Sequence, residues 1–492
     1  MPVETAQLFQ NRSDDEYKAP LVAYSFDGKD IFVISDLHLG TGFDANLNYT
    51  GNENFFADMS FRRFLAHTAT RHQTSPALLV INGDLVDFLR ICDLPQTEQE
   101  FEQWSAILSK TGIVKTVNQL RDAISKKERT FGLKTDDYKS IWKLYRCAEG
   151  HKPVFESLAS WLFQGHKLVI TKGNHDLEWY WKPVRDYLCL WLAECIADKN
   201  GGTAEDALVT FVFANLLFVD DKVIIDHKIY IEHGHRYENF TNVDGPPVLK
   251  NQTELNLPFG SFFNRYLINR IELAYPFVDN VRPSENILSV LLRERFPLAV
   301  KVLFYYVPLT LLIIPKRQYK YALRYLFQFL LLIVLPIAVT VAAFLILHPV
   351  KLSFDSPKAI VSTILSTLGN LAFLILSYFL GRLLAMLQLS SPDNLFKNAD
   401  AAFEKHPDIT VATFGHTHDP EQRDNSAKTK RYYNTGTWIP IFETDAAAIR
   451  PDRTYTYLHL VRDGEKAIAQ TCLMRWNDDA GRADEMILMD RK

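Results

Sequence analysis

Ile31-Phe32-Val33-Ile34-Ser35-Asp36-Leu37-His38-Leu39-Gly40 is the stretch whose reading decides the fold. Its first half is a short β-branched and aromatic run, the pattern of a buried strand. Its second half ends that strand with a carboxylate and an imidazole two positions apart. Side chains at i and i+2 share one side of an extended chain, so Asp36 and His38 can address one cation. The arrangement recurs four times. Runs 77–81, 167–171, 228–232 and 409–413 lead into Gly83-Asp84, Gly173-Asn174-His175-Asp176, His233-Gly234-His235 and Gly415-His416-Thr417-His418. In open α/β sheets, ligands gather beyond the carboxyl ends of the strands. Five such motifs in order predict an α/β fold with a metal site at that edge.

The residue types define the chemistry. Asp36 and His38 form one pair, and His416 and His418 repeat its spacing and can address neighbouring ions. Asp84, at the end of the second run, is placed to bridge two ions. Asn174 offers a neutral carbonyl oxygen and His233 a further imidazole. A mixed nitrogen and oxygen set without thiolate suits Mn, Fe or Zn. Two such ions about 3.5–4 Å apart can clamp a phosphoryl oxygen and activate water at neutral pH. Each dipeptide alone is an ordinary turn or a chance match; it is the ordered set that carries meaning. His67, His72, His151, His166, His227, His348, His406 and His459 fall outside it and read as structural.

Composition bounds the alternatives. Lys plus Arg (54) nearly balance Asp plus Glu (58), and the net charge is -4 over 492 residues. No global basic field is available to attract nucleic acid, which is not expected as a partner. Five cysteines without a C-x-x-C spacing argue against a disulfide framework and fit a reducing compartment. The first twenty residues lack an apolar core, so no signal peptide is expected.

Along the chain, a polar segment (1–29) precedes the first part of the metal-binding core (30–240). That part carries a charged helical insertion at about 95–163, where Trp104, Leu108, Ile141, Leu144 and Tyr145 fall at helical spacing. The insertion reads as a solvated cap or as a lid facing substrate. Residues 241–325 read as a linker with amphipathic, interfacial helices; its segment 262–275 suits a membrane surface, a partner or the core equally. Residues 326–347 and 359–380 are two uncharged runs of 22 residues. At 1.5 Å per residue each reaches roughly 33 Å, enough to cross a membrane as a hairpin. The apolar run 302–314 contains Pro308 and is short for a span, so it reads as interfacial or re-entrant. Residues 381–492 complete the core with the last metal motif and a strand-rich tail turning at Asp463-Gly464.

Charge sets the expected orientation. Lys301, Lys316, Arg317, Lys320 and Arg324 precede the hairpin and Arg382 and Lys397 follow it. The connection 348–358 holds only Lys351, Lys358 and Asp355. The basic excess predicts a two-span membrane protein with its catalytic part in the cytoplasm.

Taken together, D-x-H, G-D-x-x-D (Gly83 to Asp87), G-N-H-D, a later His233 and G-H-x-H resemble the calcineurin-like metallophosphoesterase superfamily over roughly 30–240 and 405–440. The resemblance implies a four-layer α/β/β/α sandwich. It also implies that Asp36, His38 and His418 hold one metal, that Asn174, His233 and His416 hold the other, and that Asp84 bridges them. His175 then contacts the scissile phosphate or protonates the leaving oxygen, with Asp87 orienting its imidazole. Asp36-Leu-His-Leu-Gly40, Gly83-Asp-Leu-Val-Asp-Phe88 and His233-Gly-His235 look most like the UDP-2,3-diacylglucosamine hydrolase branch. That implies a phosphorylated, lipid-linked substrate and contact with membrane lipid. Phe88 stands where Ser/Thr protein phosphatases carry arginine, which counts against that class. A membrane-tethered nucleotide phosphodiesterase or nuclease is the alternative, and a non-catalytic metal-binding scaffold is a further one.

Overall fold

Ile31, Val33, Leu78 and Val80 are fully buried because the strands that carry them are covered on both faces. The structure is a computed structural model. It describes residues 17–324, 356–389 and 395–488, apart from 45, 47, 50–51, 72–74, 277, 279–280, 283–286, 426, 444–447, 450, 465 and 487. The described chain is a mixed α/β fold with two multi-strand sheets.

In chain order the strands are β1 (Val22–Tyr24), β2 (Asp30–Ile34), β3 (Leu78–Asn82), β4 (Lys167–Thr171), β5 (Leu216–Val219), β6 (Lys222–Ile225), β7 (Ile229–Glu232) and β8 (Val281–Arg282). They continue as β9 (Val411–Phe414), β10 (Glu421–Asp424), β11 (Arg431–Asn434), β12 (Phe442–Glu443), β13 (Ala448–Ile449), β14 (Thr456–Arg462), β15 (Ile468–Asn477) and β16 (Arg482–Glu485). A seven-stranded sheet has the order β16-β15-β14-β2-β3-β4-β5, and a six-stranded sheet the order β1-β6-β7-β9-β11-β10; β13-β12-β8 form a small third sheet. β2 to β5 run parallel, and β7, β9 and β11 are parallel in the other sheet. β14 and β15 join through the turn at Asp463, whose N–H donates to Ala467 O at 2.9 Å.

Alternation along each strand sorts side chains between layers. Ile31, Val33, Leu78, Val80 and Val169 share one apolar cluster with Val223, Ile225, Ile229, Ile231 and Val411 of the six-stranded sheet. Phe32, Ile34, Leu79, Ile81 and Ile170 point the other way, into a cluster with helical residues such as Phe64, Trp104, Leu158 and Leu188. Ala412 and Phe414 pack with Leu395, Ala399 and Phe403 of the helix Leu395–Lys405.

The stretch after β3 is helical: Glu98–Lys110, Val117–Asp122, Glu128–Phe131, Asp137–Gly150 and Lys152–Phe163. Capping boxes at Thr97 with Glu100 and at Thr116 with Gln119 start the first two. Trp104, Leu108, Ile141 and Leu144 are fully buried in the main core. Phe259–Phe263, Asn264–Ile268 and Asn269–Glu272 form a continuous helical run with a π turn in its middle. Of the three settings open for 262–275, it takes the core, where Tyr266, Leu267 and Ile271 are buried.

The chain divides into two compact units, Met1–Thr310 with Leu395–Lys492, and Leu311–Asn394. The expected span 326–347 lies outside the described residues. The expected span 359–380 lies within the helix Pro357–Leu389, where Val361, Ile364, Leu365, Leu368, Leu371, Ile375 and Phe379 are exposed. Among the described residues one stretch, Phe296–Ile313, is long and apolar enough by length and composition to cross a membrane, and only 17% of it is buried. It is longer than the 13-residue run read from sequence because helix continues through Lys301 back to Phe296, with Pro297 in its first turn. Pro308 is accommodated because the turn before it, Val302–Tyr306, is π-helical.

Candidate metal centre

The motif residues follow the ends of β2, β3, β4, β7 and β9, and backbone hydrogen bonds draw those ends together. Asp36 N donates to Gly83 O at 3.2 Å, His38 N to Asp84 O at 2.9 Å and Gly415 N to His233 O at 3.1 Å. The Asn82 amide donates to Glu232 O at 3.0 Å, tying β3 to β7 across the two sheets. Five of the seven predicted ligands have positive φ: Asp36 (56°), His38 (52°), Asp84 (54°), His416 (71°) and His418 (61°). Non-glycine residues adopt this conformation at a cost of about 1–3 kcal/mol each, and it concentrates at functional sites.

The glycines allow close approach. A Cβ on Gly83 would lie 2.3 Å from His233 Nδ1, and one on Gly173 would lie 2.1 Å from Asp84 Oδ1. One on Gly415 would lie 2.6 Å from Ser35 Oγ and 2.7 Å from Asp36 Oδ2.

Among the described residues three groups of His and Asp side chains are positioned to bind a metal ion: Asp36 with His38 and His418, Asp36 with Asp84 and His233, and His38 with Asp87 and His175. In the first, His418 Nε2 is 3.3 Å and His38 Nε2 3.7 Å from Asp36 Oδ1, and the two imidazole nitrogens are 3.0 Å apart. Asp36 Oδ1 is buried and accepts no hydrogen bond, as an oxygen reserved for a cation would be. In the second, His233 Nε2 is 3.2 Å from Asp84 Oδ2 and 3.3 Å from Asn174 Oδ1. His233 Nδ1 faces the Asn82 carbonyl at 2.8 Å, which fixes the tautomer and leaves Nε2 with its lone pair toward the site. The third group joins Asp87 Oδ2 to His175 Nδ1 at 2.9 Å and to His38 Nδ1 at 3.3 Å.

His416 stands outside these groups. Its Nε2 meets Glu238 Oε2 at 3.2 Å and Thr241 Oγ1 at 3.4 Å, and its ring centroid is 5.4 Å from that of His233. A cation beside His233 would therefore take Nδ1 of His416, with Glu238 orienting the ring.

The electrostatics favour cations. Burial works to raise the Asp84 carboxyl, but the imidazoles of His233 and His175 outweigh it and hold the group well below the usual range. Burial works against a charge on His38, yet Asp36 and Asp87 push it up to about 10. His233 is likewise pushed up to about 9, chiefly by Asp84. Three carboxylates thus hold positive charge on the imidazoles, and a metal ion can supply that charge in place of protons.

Several further residues shape the site without having been assigned a role from the sequence. Asp176 is buried and accepts from Gly173 N at 2.6 Å and Leu85 N at 2.9 Å; burial and the neighbouring Asp84 push its carboxyl up to about 7. Arg90 Nε donates to Asp87 Oδ2 at 2.9 Å, and its guanidinium also pairs with Glu272. Glu238 lies three residues beyond His235 with nothing in the spacing to mark it. Asp176 alone could have been found, as the fourth residue of its motif.

No protein-family model matches this chain, and no curated protein matches it.

Proposed function

We propose that the chain is a dinuclear-metal phosphoesterase that hydrolyses a phosphate ester or pyrophosphate of a lipid-linked substrate at a membrane surface. The observation that carries this reading is the position of Asp84. Its Oδ2 lies 3.7 Å from His38 Nε2 and 3.2 Å from His233 Nε2, between the two ligand sets. A carboxylate shared in this way suits a pair of ions better than one. In this reading Asp36, His38 and His418 hold one ion, Asn174, His233 and His416 the other, and the donor chemistry fits Mn, Fe or Zn. Bound there, the cations supply Lewis-acid polarisation of a phosphoryl group.

The rest of the work falls to the chain's own side chains. Asp87 fixes His175 through Nδ1, which leaves Nε2 to meet a substrate oxygen. Burial disfavours the imidazolium, but Asp87 and Asp84 raise its proton affinity above the ordinary histidine value. His175 is thus suited to hold a proton and deliver it to the leaving oxygen. The apolar clusters between and outside the sheets support the calcineurin-like α/β/β/α sandwich. The uncharged runs 326–347, which lies outside the described residues, and 359–380 are each long enough to cross a bilayer, and this supports a lipid-linked substrate. Because β7 and β9 are neighbours in one sheet, any membrane crossings between them are even in number; with 326–347 and 359–380 taken as the pair, Phe296–Ile313 is assigned to the interface.

A panel of phospholipid monoesters, lipid pyrophosphates and bis-p-nitrophenyl phosphate, assayed with Mn²⁺, tests the reading. Hydrolysis that chelator abolishes and Mn²⁺ restores is expected. No turnover of any member, or turnover indifferent to chelator, would count against it.

A further inference from the structure

A cavity of about 130 Å³ opens beside Asp87, lined by Arg90, Cys92, Asp93, Phe131, Arg265 and Arg270 among others. Most charges around it are matched. Arg90 pairs with Asp87 and Glu272, Asp93 with Arg146 at 3.3 Å, and the nearby Lys143 with Glu178 at 3.6 Å. Arg265 and Arg270 differ. Arg265 is 4% exposed, and its Nη2 donates to the carbonyls of Gly132 and Leu133 at 2.6 Å each, with Nε 3.4 Å from Phe131 O. These acceptors are neutral. Arg270 rests over the Phe131 ring, 5.0 Å from its centroid. Among the described residues neither arginine has a carboxylate within ion-pair distance. The π turn Asn264–Ile268, with its i→i+5 geometry, brings positions five apart onto one side, as Arg265 and Arg270 require to share the cavity.

Arg265 is buried and Arg270 half-buried; with no carboxylate in ion-pair contact their charge favours an anion, to which Arg265 can offer Nη1 and Arg270 its planar donor fork. We propose that this cavity is a phosphate subsite in which Arg265 and Arg270 bind a phosphate group apart from the metal centre. Arg90 separates the two places: one of its partners, Asp87, also holds His175. The group bound is either a second phosphate of the substrate, which rests on the phosphoesterase reading, or free phosphate, which does not.

Calorimetric titration of inorganic phosphate into the full chain tests the site. Mn²⁺-loaded wild type should bind two equivalents and Arg270→Gln one. In an Asp84→Asn background, where the metal centre is disabled, one equivalent should remain. Adding Arg270→Gln should weaken it about tenfold or more, with Arg270→Lys partly restoring it. Failure of the metal reading would show as two equivalents in Asp84→Asn, one of them still lost with Arg270→Gln, and would leave the cavity supported. Unchanged titration of Arg270→Gln in both backgrounds overturns it. The occupant is read from kinetics with a lipid that carries two phosphate groups and the matching lipid monophosphate. If substrate phosphate fills the cavity, Arg270→Gln lowers the ratio of their kcat/KM values about tenfold. If free phosphate fills it, the ratio holds while the titration loses its equivalent.

Discussion

At Gly173 a single methyl group would lie 2.1 Å from Asp84 Oδ1 and 2.7 Å from the Asp84 backbone nitrogen. Neither side can retreat, since Gly173 N is held by Asp176 and His175 N donates to Asp84 Oδ1 at 2.8 Å. Gly173→Ala should therefore displace the Asp84 carboxylate and lose metal and activity together, as metal analysis and turnover of the same preparation would show; an alanine variant with full metal content would contradict this. His175 makes the complementary case. His175→Ala should keep its metal and lose rate by about 10²–10⁴-fold on a poor leaving group. The loss should shrink with p-nitrophenolate, which needs no proton. Equal losses with both would assign His175 to positioning. The candidate ligands were legible because each is announced by a neighbour: a glycine before it or another motif residue two places away. Glu238 and Arg90 were not, because their partners His416 and Glu272 are 178 and 182 residues distant.

The loop that follows His38 depends on an ion cluster built between elements. Glu53 accepts from Gly40 N at 3.3 Å, Gly42 N at 2.6 Å and Phe55 N at 2.8 Å. His151, at the junction of the helices Asp137–Gly150 and Lys152–Phe163, meets Glu53 at 3.1 Å and Asp58 at 2.9 Å, fully buried. Burial opposes charge on His151, but the two carboxylates push it from 6.5 up to about 10. A folded value above the unfolded one stabilises fully below pH 6.5, and that contribution fades as pH rises through about 10. His151→Gln leaves two buried carboxylates uncompensated, a loss of about 3–5 kcal/mol. The gap in Tm between wild type and His151→Gln should be widest below the ordinary histidine value and close as pH climbs toward the raised one. A constant gap would contradict the ionised cluster. None of this was visible in the sequence, where His151 read as a bland helical residue. The strands were visible: β4 matches the expected 167–171, and β2, β3, β7 and β9 begin within two residues of expectation. Short β-branched runs bounded by turn residues are local signals, whereas the sheet order depends on pairing between segments distant in sequence.

For the whole molecule, the metal motifs before and after residues 311–394 must meet in one place, which forces any membrane crossings between them to be paired. In a chain stripped of its five native cysteines, Ser356→Cys should react with an impermeant maleimide on intact cells, and Lys428→Cys should react only after the membrane is broken. Labelling of both on intact cells would break the hairpin, and labelling of Lys428→Cys alone would reverse it. The central claim, that these side chains hold a pair of ions bridged by Asp84, is tested most directly by anomalous scattering from crystals grown with Mn²⁺. Two peaks about 3.5–4 Å apart are predicted, one beside Asp36, His38 and His418 and one beside Asn174, His233 and His416, with the Asp84 carboxylate between them. One peak, or none within reach of Asp84, would contradict the account.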